Sequence, residues 1–163
     1  MTSDVYGLGP GSPITPAVRA FRAVLLLAQR LRYLMDDRLR ADGLTTQQAA
    51  LLTVVIALDS PPLGAAAAAL GTTHQNAAQL VAALERKGLL TIEPDPADRR
   101  RKRLVATAAN ARYWRGRDAD DEAAVASWFG ALAPAEVETL VGLVSTVLDH
   151  LGRGGEQGVR ADK

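Results

Sequence analysis

The chain contains no cysteine. Disulfides, thiolate metal ligands, thiol nucleophiles and thiol redox sensing are therefore closed to it. It has two histidines, His74 and His150, too few for a histidine metal site unless carboxylates help. Aromatics make up only 4% of the 163 residues, so a core must be assembled from Leu, Val and Ala. Of these, Ala and Leu favour helix. Long apolar runs are also missing: the longest, AALLTVVIAL, is roughly ten residues, about half of what a bilayer crossing needs. The start, MTSDVYGLGPGSP, lacks the basic segment and apolar run of a secretory signal. GLGPG within it follows no strand and opens no βαβ unit, so it does not read as a nucleotide loop. The expectation is one cytoplasmic chain with no membrane partner, no metal and no cofactor.

Charge is nearly balanced, at a formal +1, yet it is not evenly spread. Arg99, Arg100, Arg101, Lys102 and Arg103 are consecutive, whereas residues 104–150 hold three Arg against seven Asp and Glu. A basic feature therefore precedes a more acidic helical region. The acidic run DADDE reads as a solvated face rather than a metal site.

The order of elements follows from periodicity and punctuation. Residues 1–16, with three Pro and three Gly, read as a mobile arm. Thr15 and Pro16 suit the cap and first position of a long helix ending near Gly43. Its apolar residues Val18, Phe21, Leu25, Ala28, Leu31, Met35 and Leu39 recur every three or four positions. LTTQQAALLTVVIALDS predicts a Thr-capped helix stopped by Pro61-Pro62. LGAAAAALG predicts a short helix closed by Gly71, and TTHQNAAQLVAALERKG one that opens on hydroxyls and closes on Gly88. LLTIEP and KRLVAT predict the strands of a hairpin with an arginine-rich tip. A long helix is expected over about 108–129, then an amphipathic helix with Val137, Leu140, Val141, Val144, Leu148 and Leu151 on one face. A glycine-rich, disordered tail is expected over 152–163. Strand and helix do not alternate, which argues against an α/β nucleotide-binding fold.

The stretch AAALGTTHQNAAQLVAALERKGLL carries the most chemistry. Gly71 lets the chain turn sharply between two helices, as a helix-turn-helix requires. Ala77, Leu80, Val81 and Leu84 form the stripe expected to be buried. Gln75, Gln79, Ala82 and Arg86 then lie opposite, with His74 and Asn76 flanking. Amides at such positions can pair with adenine N6 and N7 in a major groove. Thr72 and Thr73, at the helix start, suit a phosphate. A polar face of this kind can also be merely solvated. The arginine tip favours the DNA reading, because a self-repelling charge cluster finds its partners on phosphates or in a narrow minor groove. Asp98 is placed to pair with Arg100 or a neighbour and hold the loop.

These stretches resemble the MarR family of transcriptional regulators over residues 17–151. LGTTHQNAAQLVAALERKGLL is similar to its helix-turn-helix, DPADRRRKRLVAT to its wing, and LAPAEVETLVGLVSTVLDHL to its last helix. The resemblance implies a mainly α fold: a winged helix-turn-helix with a two-stranded β wing, and N- and C-terminal helices forming a dimerisation region. The corresponding divisions are an arm over 1–16, a dimerisation helix over 17–43, the DNA-binding domain over 44–107, dimerisation helices over 108–151 and a tail over 152–163. It further implies a homodimer on a palindromic operator in double-stranded DNA, acting as a repressor and, in many members, released by a small-molecule effector. Thr72, Thr73, His74, Gln75, Asn76 and Gln79 would face DNA from the recognition helix, and Arg99, Arg100, Arg101 and Lys102 from the wing. Tyr33, Trp114 and Trp128 are aromatic candidates to line an effector pocket, against ordinary core packing for each. The rival reading is a winged-helix interaction module without specific DNA binding. An enzyme is disfavoured: neither histidine has an evident partner, and no residues stand out as catalytic.

Overall fold

The computed structural model describes residues 6–9 and 11–158. They fall into two compact units that divide between Arg112 and Tyr113. The first begins with α1, Pro16–Leu39, whose first position is taken by proline. Thr15 occupies the cap position, but its side chain makes no capping hydrogen bond. Two carbonyls of the arm expected over 1–16 accept hydrogen bonds from α1. Arg19 Nη1 donates to the Gly9 carbonyl at 3.1 Å and Arg22 Nη1 to that of Tyr6 at 3.4 Å. Residues 1–5 and 10 lie outside the described residues.

After a 3-10 turn, Arg40–Asp42, Gly43 turns the chain at φ +65°. Helix α2, Thr46–Ala57, then starts with a reciprocal cap. Gln48 N donates to Thr45 Oγ1 at 3.3 Å, and Thr45 N donates to Gln48 Oε1 at 3.2 Å. The Asp36 carboxylate clamps this start to α1, accepting the Thr46 backbone N–H at 2.6 Å and its hydroxyl at 2.7 Å.

Beyond α2 the backbone is strained. Asp59 and Ser60 sit at φ +50° and +65°, a region that suits glycine. They are held there by hydrogen bonds from their N–H groups to the carbonyls of Ile56 and Val55, at 3.1 and 3.0 Å. The turn delivers Pro61, whose carbonyl accepts Leu104 N–H at 2.9 Å. A non-glycine residue there costs about 1–2 kcal/mol, part of which glycine gives back through its freer unfolded chain. Ser60→Gly is therefore expected to raise unfolding free energy by roughly 0.5–1 kcal/mol, read as a higher urea midpoint. A lower midpoint would assign the turn to the serine side chain instead.

Helix α3, Leu63–Ala69, ends at Gly71, at φ +61°, and α4, His74–Arg86, follows. Strands β1, Leu90–Pro94, and β2, Lys102–Ala106, pair antiparallel, with Ile92 opposite Leu104. The core is aliphatic. Leu39, Leu51, Leu52 and Val55 pack with Val81 and Leu84 of α4 and with Leu90 and Leu104 of the hairpin, all buried. Ala66, Ala67 and Ala77 are buried as well, and such small side chains let helix backbones approach closely. Thr107 fastens the hairpin base. Its hydroxyl donates to the Gly88 carbonyl at 2.7 Å, and its N–H to that of Leu89 at 3.2 Å.

A single helix over 108–129 is not what forms. The chain builds α5, Ala108–Arg115, and α6, Asp118–Trp128, with a break at Gly116 and Arg117. Glycine weakens a helix interior. Arg117 closes the break, donating its N–H to the Trp114 carbonyl at 2.8 Å and pairing Nε with Asp121 Oδ2 at 3.1 Å. Its guanidinium carbon also lies 5.5 Å from the Tyr113 ring centre.

Helix α7, Pro134–Gly158, starts where Glu136 accepts the Ala133 N–H at 2.8 Å. It runs past the point where a disordered tail was expected. Extending an established helix gains a hydrogen bond for each residue fixed, and this offsets the glycine cost of about 1 kcal/mol through residue 158. Residues 159–163 lie outside the described residues. Exposed apolar side chains mark two helices: Val18, Phe21, Val24 and Leu25 on α1, and Val141, Leu143, Val147, Leu148 and Leu151 on α7.

Candidate nucleic-acid interface

The site rests on α4. Its buried stripe is Ala77, Val81 and Leu84, with Leu80 half-buried. At 100° per residue the opposite line runs through Gln75, Gln79, Ala82 and Arg86. Gln75, Gln79 and Arg86 are exposed, and no acidic side chain interrupts the line. His74 is exposed on one flank, with Glu85 on the same side.

The start of α4 is knitted to the turn before it. Thr73 Oγ1 accepts Asn76 N–H at 3.2 Å, and Asn76 Nδ2 donates to Thr72 Oγ1 at 2.8 Å. Thr72 and Asn76 are half-buried, whereas Thr73 is exposed. The polar residues that the sequence groups as one DNA-facing set thus separate. His74, Gln75 and Gln79 project freely, while the Asn76 amide and both threonine hydroxyls are engaged within the chain. A Thr four positions before an Asn, across a helix start, was the available signal for this contact.

The wing shows a similar division of labour. Asp98 Oδ1 accepts the backbone N–H of Arg100 at 3.0 Å, and Asp95 Oδ1 that of Ala97 at 2.8 Å. Backbone bonds from Arg101 N to Asp98 O at 2.8 Å and from Asp95 N to Arg101 O at 2.9 Å close the loop. Asp98 also meets the Arg101 guanidinium, at 3.9 Å, rather than that of Arg100. Arg103 turns across the hairpin to Glu93, at 3.5 Å, and is not available at the tip. Arg99, Arg100 and Lys102 are exposed and form no ion pair among the described residues. The cross-strand pair of Arg103 with Glu93 depends on register, which the sequence does not state.

The aromatic candidates are not gathered on one element. Tyr33 is exposed on α1 in the first unit. Trp114 and Trp128 are half-buried in the second unit. Trp114 packs edge-on against Tyr113, with ring centres 4.9 Å apart. Among the described residues no group of three or more acidic or histidine side chains is placed to hold a metal ion, and no helix is long and apolar enough to cross a membrane.

The MarR family model matches residues 42–101, from the turn before α2 to the wing tip. No curated protein matches the chain. Solved structures do, over most of their length. The DNA complex of MepR from S. aureus is 19% identical, with a TM-score of 0.70, over 84% of this chain and 99% of that one. A MarR protein from Peptoclostridium difficile is 15% identical, with a TM-score of 0.76, over 90% and 96%. CouR from Rhodococcus jostii, bound to p-coumaroyl-CoA, is 22% identical, with a TM-score of 0.69, over 82% and 91%. The fold is therefore a MarR-type winged helix, mainly helical with a two-stranded antiparallel sheet.

Proposed function

Starting from a chain of MarR-type fold whose residues 42–101 match that family, we propose that this protein is a homodimeric, sequence-specific DNA-binding transcriptional regulator. One observation carries the reading: an acid-free line of exposed amides on α4 stands in the same unit as a wing tip with three cations that form no ion pair among the described residues. Amides on a helix suit base edges, and wing cations suit phosphates. In this reading Gln75 and Gln79 enter a major groove, while Arg99, Arg100 and Lys102 hold the backbone beside it. Thr73 and His74 border the helix start, where a phosphate is welcome.

Dimerisation supports this role. The exposed apolar side chains of α1 and α7 form faces of the kind that a second copy covers. A two-fold dimer presents two recognition helices to a palindromic operator, about one DNA turn apart. Repression follows where that operator overlaps a promoter. Small-ligand control is part of the proposal. CouR with its bound p-coumaroyl-CoA is a neighbour in fold that carries a ligand.

The test is fluorescence anisotropy with the chain's own upstream DNA against scrambled DNA, across a salt series, with sedimentation to give the mass of the free protein. Dimer mass and tight, salt-sensitive binding that favours the upstream DNA are expected. Equal weak binding to both DNAs would remove the specific-regulator reading in favour of an interaction module.

A further inference from the structure

We infer that each half-site of the DNA is read at two A·T base pairs about two steps apart, by Gln75 and Gln79, and that Asn76 reads no base. The inference rests on the DNA-binding reading above and deepens it.

The outward line of α4 fixes which side chains can reach base edges. Gln75 and Gln79 are exposed on it, one helical turn apart. Four residues rise about 6 Å along the axis, and base pairs repeat every 3.4 Å or so, which sets the spacing at roughly two steps. A glutamine amide offers one donor and one acceptor, the pattern that adenine N7 and N6 complete. Ala82, next along the line, presents only a methyl, which suits a thymine C5-methyl. Guanine is best recognised by Arg or Lys, and none occurs in α4 before Arg86. Arg86 lies seven residues past Gln79, about 10 Å further along, where a phosphate is the nearer partner. His74 stands some 120° away from the outward line.

Asn76 has the right chemistry for adenine and the wrong circumstances. Its Nδ2 donates to Thr72 Oγ1 at 2.8 Å, and the residue is half-buried. To read a base it would have to leave that hydroxyl and turn from its flank to the outward line. Its amide instead fixes the first turn of α4 onto the Gly71 turn, and so aims the two glutamines. Asn76 is a positioning residue.

Selection from a random DNA library, followed by sequencing, tests this with the full chain. The wild-type protein is expected to enrich half-sites with adenine at two positions separated by one base pair. Gln75→Ala should lose the preference at one position and Gln79→Ala at the other, each with roughly tenfold or greater loss of affinity for the selected DNA. Asn76→Ala and Thr72→Val remove the same hydrogen bond from opposite ends. Both should weaken binding to every sequence while leaving the enriched motif unchanged. Combining them should cost little more than either alone. Enrichment of G·C pairs at the glutamine positions would overturn the inference and leave the DNA-binding reading standing. So would an Asn76→Ala motif that loses one base position while Thr72→Val keeps it. No enrichment by the wild-type protein would overturn both.

Discussion

Replacing Arg99, Arg100 and Lys102 with alanine is expected to lower DNA affinity about 10- to 100-fold near physiological salt. The loss should fall on all sequences alike, because phosphate contacts carry no base information. Each phosphate neutralised contributes about 0.9 to the slope of log affinity against log salt, so the slope should flatten by about 2.7 for each bound protomer. Arg101 and Arg103 are left in place, since the first faces Asp98 and the second Glu93. The variant should fold normally, because Asp98 holds the loop through the backbone N–H of Arg100, which alanine keeps. Anisotropy titrations at four or five salt concentrations give the answer. An unchanged slope would take the wing off the DNA.

The second large effect concerns stability. Leu84 is fully buried at 0% exposure, on the inner face of the helix that carries Gln75 and Gln79. Its carbonyl also accepts Leu89 N–H at 3.1 Å, where the chain leaves α4 for β1. Leu84→Ala removes apolar contacts and leaves a cavity, at an expected cost of about 2–5 kcal/mol. That is a large share of the roughly 5–15 kcal/mol that holds a typical domain together. Urea denaturation followed by circular dichroism should show the midpoint falling steeply. The outward substitutions Gln75→Ala and Gln79→Ala should stay within about 0.5 kcal/mol of the parent chain. A cost below about 1 kcal/mol for Leu84→Ala would mean that α4 is not anchored by its apolar stripe. The contrast separates residues that hold the helix from residues that use it.

Most of the architecture was legible because its signals are local. Gly71 and Gly88 mark helix ends through their positive φ, Thr45 and Thr73 mark starts through hydroxyl caps, and short runs of apolar β-formers mark the hairpin. What escaped depends on competition between local preferences. The break at Gly116 and Arg117 follows an otherwise helical pattern, and its closure by Asp121 and the Tyr113 ring is a matter of geometry. At residues 152–158 helix propagation prevails over a glycine-rich composition that by itself suggests disorder. The left-handed pair Asp59 and Ser60 carries no glycine to announce it, because the turn is imposed by bonds back to α2 and forward to the hairpin.

In the candidate site, the sequence groups residues by side-chain type and does not show which of them the fold engages internally. Side-chain type alone puts Asn76 with Gln75 and Gln79, and Arg103 with Arg99 and Arg100. Only the fold gives Asn76 to Thr72 and Arg103 to Glu93.

The wing loop also keeps form and charge on different residues. Asp95 and Asp98 set its shape through backbone N–H groups that any non-proline residue supplies, while Arg99, Arg100 and Lys102 contribute charge without being needed for the bend. In the proposed role, sequence change at the three cations can therefore retune the grip on a polyanion, one charge at a time, with no redesign of the loop. Change at either aspartate disturbs the loop itself. The tip is accordingly a place where charge can change while the scaffold stays fixed.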